Sequence, residues 1–114
     1  MYRDGEGVRQ DYKKAIEWTE KAAKQGYVSA QYNLGVMYDN GQGVRQDYKK
    51  AKEWYEKAAN QGDVDAQYNL GIMYDNGEGV KQDKKIAKEW FGKACDGGYQ
   101  KGCDEYKKLN QQGY

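Results

Sequence analysis

Residues 5–40 recur at 41–76 with 29 of 36 positions unchanged, and a looser copy starts at Gly77. A fixed period of this length constrains the fold more than any single residue does. Each unit is too short to enclose a core, so it must bury its apolar face against the next one, which produces a stacked solenoid. Read as one domain over 1–114, the chain divides into a partial unit at 1–4 and repeat units at 5–40, 41–76 and 77–112. Met1 is in register with Met37 and Met73, so it reads either as a repeat residue of a longer protein or as an initiator.

Within the period two helical patterns alternate. Ala51, Trp54, Tyr55, Ala58 and Ala59 fall at i, i+3, i+4, i+7 and i+8, one apolar stripe on a helix predicted over Asp47–Gln61, with Asp47 as N-cap and Gly62 just past the end. The same stripe predicts helices over Asp11–Gln25 and from Asp83 to Ala94 or Asp96. In these B helices Trp18, Trp54 and Trp90 recur within the stripe and are expected to anchor the core. The intervening A helices are shorter, about ten or eleven residues, with faces made by Ala30, Leu34, Met37, Tyr38 and by Ala66, Leu70, Met73, Tyr74. Gly35 and Gly71 sit inside them although a mid-helix glycine costs about 1 kcal/mol relative to alanine. A close helix contact that a Cβ would obstruct explains both. Asn40-Gly41-Gln42-Gly43-Val44 and its copy at 76–80 supply the reversal from A to B, the valines plugging the hairpin end. The expected fold is all-α: a right-handed α/α solenoid of antiparallel helix hairpins with about six helices.

The ends depart from the pattern. No A helix precedes the first B helix, so the surface around Trp18 and Ala15 should be bare, covered by Tyr2 and its neighbours, or used for self-association. At the other end a helix predicted over Gln100–Gln111 carries Tyr106 and Lys107 where earlier units have Leu and Gly, the polar composition of a terminal cap.

Cys95 and Cys103 flank a predicted reversal at Gly97-Gly98, which allows the spacing a disulfide needs; two free thiols are the alternative. A surface location is expected for Cys103, because the residue in register is Gln67. A bridge would imply a periplasmic or secreted setting.

The 19 basic and 18 acidic residues are interspersed, no apolar run is long enough to span a bilayer, and neither nucleic acid nor a membrane is suggested as partner. With no histidine anywhere, the usual catalytic triads and a structural zinc site are not expected, and no cofactor is. Thr19 and Ser29 are the non-tyrosine hydroxyl residues, and Ser29 reads as a helix N-cap. The Gly-x-Gly segments lack the lysine element of a phosphate loop.

What remains is a surface for another protein. On a helical wheel Tyr32 and Val36 point away from the core face, as do Tyr68 and Ile72, with Asn33 and Asn69 at the border. Tyrosines beside amides suit an extended or helical peptide on the inner wall of the superhelix; rings that only fill contacts between hairpins are the other reading.

The motif Ala66-Gln67-Tyr68-Asn69-Leu70-Gly71-Ile72-Met73-Tyr74, followed by Gly77-Glu78-Gly79-Val80, Asp83, Ala87, Trp90-Phe91 and Lys93-Ala94, resembles the Sel1-like repeat family, relatives of tetratricopeptide repeats. That resemblance implies a noncatalytic scaffold for protein complexes, often exported in bacteria. The Cys95 and Cys103 pair is similar to that of the cysteine-rich secreted branch, for which penicillin binding or beta-lactam hydrolysis has been proposed; here Ala23 and Ala59 replace the first cysteine in the other units. A beta-lactam-active protein and an idealised scaffold without a ligand are therefore the alternative functions.

Overall fold

The computed structural model describes residues 6–114, which fold into α1 (Glu6–Lys24), α2 (Val28–Asn40), α3 (Tyr48–Asn60), α4 (Val64–Asn76), α5 (Lys84–Asp96) and α6 (Gln100–Gln111). The predicted partial unit at 1–4 and any covering role of Tyr2 lie outside the described residues. Substantial packing joins only helices that are consecutive in sequence. The result is a rod of 50 × 26 × 24 Å whose radius of gyration, 15.4 Å, exceeds the roughly 13 Å of an equally long compact domain. This is an all-α solenoid built from the 36-residue period.

Each junction follows from its residues. Gly41 and Gly77 close α2 and α4 in the left-handed region, at φ 71° and 73°, and donate to Met37 O and Met73 O. The chain then returns through Asp47 N–H to Tyr38 O and Asp83 N–H to Tyr74 O, both 2.9 Å. Asp47 caps α3 by accepting from Lys50 N–H, and Asp83 caps α5. The first unit differs: α1 begins at Glu6, five residues before the predicted start at Asp11. At the other two junctions the Gly-x-Gly segment bends because carbonyls of a preceding A helix receive its N–H groups, and no such helix precedes α1 among the described residues. Nor does Ser29 cap α2. The cap position is Tyr27, whose side chain makes no capping bond, whereas Asp63 in register accepts from Ala66 N–H at 2.9 Å.

The core runs the length of the rod as three clusters. Its largest fully buried side chains are Tyr55, Phe91, Leu34, Leu70 and Met73. The tryptophans expected as anchors stand one position off this line. Trp54 lies half-buried against the Ile16, Ala23 and Leu34 cluster, and Trp90 against the Tyr55 and Leu70 cluster, so each seals the joint to the preceding unit. Their outer faces carry Lys57 and Lys93 at 4.7 and 4.5 Å from the ring centroids. Trp18, with no helix ahead of α1 among the described residues, is 71% exposed.

The glycines explain how the aromatics fit. A Cβ on Gly35 would lie 2.6 Å from the Tyr55 ring, and one on Gly71 2.5 Å from the Phe91 ring. The close contact expected from sequence is therefore helix backbone against a buried aromatic face.

The turns from B to A are fastened in two ways. Gln31 Nε2 donates to Ala23 O and Gln67 Nε2 to Ala59 O, at 3.2 and 3.1 Å. In the third unit the residues in register are Cys95 and Cys103, joined in a disulfide with Cα atoms 4.5 Å apart. The surface placement expected at this position is not found: Gln67 is 8% exposed and Cys103 is half-buried. The position faces the end of the preceding B helix rather than water. Gln31 Oε1 also accepts from Gln61 Nε2, but in the next unit the residue in register with Gln61 is Gly97, and Gln67 Oε1 has no partner among the described residues.

Candidate functional site

α2 and α4 hold the predicted binding residues at equivalent positions. Tyr32, Val36, Tyr68, Asn69 and Ile72 are half-buried and Asn33 is exposed. Tyr32 rests on Tyr55 with ring centroids 5.8 Å apart; Tyr68 lies 5.4 Å from Phe91 and 5.1 Å from Tyr99, edge to face with the latter. One side of each ring packs across helices, and the remainder is open to solvent.

The two asparagines are not equivalent. Asn69 is half-buried and offsets part of the upward push on the Tyr32 and Tyr55 hydroxyls, whereas Asn33 is exposed. Tyr55 lies buried against Tyr32, Asp39 bonds to its hydroxyl and Tyr99 packs on Tyr68; none of the three is among the site residues expected from sequence. Tyr55 O–H donates to Asp39 Oδ2 at 3.1 Å. In the third unit Phe91 lacks that hydroxyl, and Asp75 instead accepts from Lys84 Nζ at 2.6 Å, where the second unit has Tyr48. The exchange of Tyr for Phe and of Tyr for Lys keeps both aspartates partnered. The signal for Tyr99 was its departure from register, since Asp63 stands there in the unit before.

Burial pushes the Tyr55 hydroxyl far above its ordinary range, the charge of Asp39 and its hydrogen bond add to this, and Asn69 offsets part. A folded value raised above the ordinary 10.0 means that the folded chain holds this proton after the unfolded chain has released it. The contribution to stability is therefore complete below about pH 10 and is lost as pH rises further. We expect the urea midpoint to fall above about pH 10, and Tyr55→Phe to flatten that fall while losing about 0.5–1.5 kcal/mol at neutral pH with the hydrogen bond. An alkaline slope unchanged by Tyr55→Phe would refute the assignment.

Other hollows are peripheral to this face. An open one of about 500 Å³ borders Trp18, Ala22, Tyr27, Val28 and Asn33, the surface that a preceding A helix would cover. Among the described residues no cluster of three or more His, Cys, Asp or Glu is arranged to hold a metal ion, and no helix is long and apolar enough to cross a membrane. The face offers hydroxyl and amide groups and fixed aromatic surface, which is equipment for binding.

The family model described as Sel1 repeat matches residues 1–27, 28–63 and 64–99, a frame that opens each complete unit at the A helix. No curated protein sequence matches the chain. Among solved structures, a Sel1 repeat protein from Oxalobacter formigenes is similar at 33% identity and TM-score 0.85, over 89% of this chain and 42% of that one. A protective antigen present in uropathogenic Escherichia coli strains, displaying an SLR fold, is similar at 41% identity and TM-score 0.88, over 96% of this chain and 24% of that one. Helicobacter pylori cysteine rich protein B aligns at 28% identity and TM-score 0.66, over 88% of this chain and 98% of that one. This chain thus spans less than half the length of the first two.

Proposed function

The chain belongs to the Sel1 repeat family, and from that premise we propose that it holds a peptide or protein partner on the A-helix face formed by Tyr32, Asn33, Val36, Tyr68, Asn69 and Ile72. Members of the family are in general protein-interaction scaffolds, and the finer claim is the location of the surface. It rests on one observation: Tyr32 and Tyr68 are each immobilised against a buried aromatic ring yet only half-buried. A ring held this way loses little further freedom when a partner covers it, which is what makes tyrosine an effective interface anchor. The reading is noncatalytic. The Cys95–Cys103 bridge and the bacterial neighbours agree with a periplasmic or secreted location.

The test is affinity capture followed by titration of the isolated partner against Tyr32→Ala and Tyr68→Ala, with helicity checked by circular dichroism. Each substitution should weaken binding by about tenfold or more. Binding that survives both unchanged in folded protein would place the interface elsewhere.

A further inference from the structure

The near-zero net charge conceals a difference between α2 and α4 on one side and α3 and α5 on the other, while α6 is mixed, with Lys101, Lys107 and Lys108 beside Asp104 and Glu105. α2 and α4 contain no lysine or arginine, and their charged residues are Asp39, Asp65 and Asp75. α3 and α5 carry four lysines each. At the end of the stack, the residues of α6 in register with Tyr68 and Asn69 are Asp104 and Glu105. The row of tyrosines therefore runs into two carboxylates, with Lys101 and Lys108 in register with Asp65 and Ile72 beside them and Lys108 engaged by Glu105.

These carboxylates act on the rings. Burial first, then the charges of Glu105 and Asp104, raise the Tyr68 hydroxyl; for Tyr32, burial is joined by Asp65 and Asp63. Some of the negative charge is already engaged. Glu105 pairs with Lys108 at 3.5 Å, Asp63 caps α4, and Asp104 accepts from the neutral Gln100 amide. Asp65 and Asp104 are exposed and face no cation in a salt bridge among the described residues. Beside them Tyr68 is fixed between Phe91 and Tyr99, presenting aromatic surface of the kind that attracts cations.

Resting on the reading of the A-helix face as a binding surface, we propose that its partner is a basic segment, in which lysine or arginine side chains lie against Tyr68 and Tyr32 and are met by Asp104 and Asp65. Val36 and Ile72 receive the apolar residues between them. Charge complementarity selects this partner over an acidic or nucleic-acid one, which these carboxylates repel.

The experiment measures fluorescence anisotropy of the full chain with a labelled short peptide repeating Lys-Val-Lys-Ser, and with counterparts carrying Gln or Glu in place of Lys. The Lys peptide should bind about tenfold tighter than the Gln peptide, with an advantage that shrinks as salt is added, and the Glu peptide weakest. Asp65→Asn with Asp104→Asn should bring the Lys peptide down to the Gln level, whereas Glu53→Gln on a B helix should leave it unchanged. Equal binding of the Lys and Gln peptides, abolished by Tyr68→Ala, overturns the charge assignment and leaves the face standing. Lys-peptide binding that is indifferent to Tyr68→Ala, or that falls equally with Glu53→Gln, overturns both.

Discussion

Gly71→Leu is expected to lower the stability of the chain by about 3 kcal/mol or more, at the upper end of what overpacking does to a core. The new side chain begins 2.5 Å from the Phe91 ring. That ring is fully buried and is flanked by Tyr68, Ile72, Tyr74 and Leu109, so it has nowhere to turn. A better helix former at this position contributes about 1 kcal/mol in the other direction, too little to compensate. The register provides an internal control. Lys107 stands at the equivalent place in α6 and is exposed, with no later helix against it among the described residues. There the change to glycine removes nothing but helix propensity, and Lys107→Gly should cost about 0.5–1 kcal/mol. A glycine that is required at 71 and unfavourable at 107, one repeat further on, is the signature of a contact made only inside the stack. Thermal unfolding of both variants checks it: a melting temperature for Gly71→Leu within a few degrees of the parent would show that α4 and α5 do not need their close approach, since 1 kcal/mol corresponds to roughly 4–8 °C in a domain of this size.

What could be read from the residues was whatever a single helix expresses. The stripe of α3, the cap at Asp47 and the span Gln100–Gln111 depend on neighbours a few positions away, and the structure places them as expected. Properties set by the next unit were harder to read. Trp54 and Tyr55 occupy adjacent places in one apolar stripe, and only the position of Gly35 across the hairpin determines that the tyrosine is engulfed. Gln67 looked like a surface residue because it is polar; it is buried with its amide donating to Ala59 O at the end of α3, a carbonyl that also accepts from Gly62 N–H. The candidate face was legible as a pair of outward positions on α2 and α4, but not the influence of Asn69 on the Tyr32 hydroxyl, which a single helix does not express. Ser29 misled because serine is a common cap, whereas the junction geometry assigns that place to Tyr27.

Phe91→Ala should cost about 3–5 kcal/mol, comparable to a large part of the 5–15 kcal/mol that holds a typical domain together. The magnitude follows from topology as well as from size. Each helix of a linear stack is secured mainly by its sequence neighbours, so a cavity at Phe91 weakens the α4–α5 contact beneath it and the α5–α6 contact around Leu109, with little from any other helix to compensate. Trp90, the next residue and the larger one, should lose less, about 1–2 kcal/mol on substitution by alanine, because it is half-buried and its outer face is covered only by Lys93. For Trp18→Ala the change should stay within about 0.5 kcal/mol, the ring being mostly exposed. Urea midpoints of the three variants test the order. An effect of Trp90→Ala equal to or larger than that of Phe91→Ala would mean that the joints between units, rather than the aromatic held beneath each periodic glycine, carry the stability of the stack.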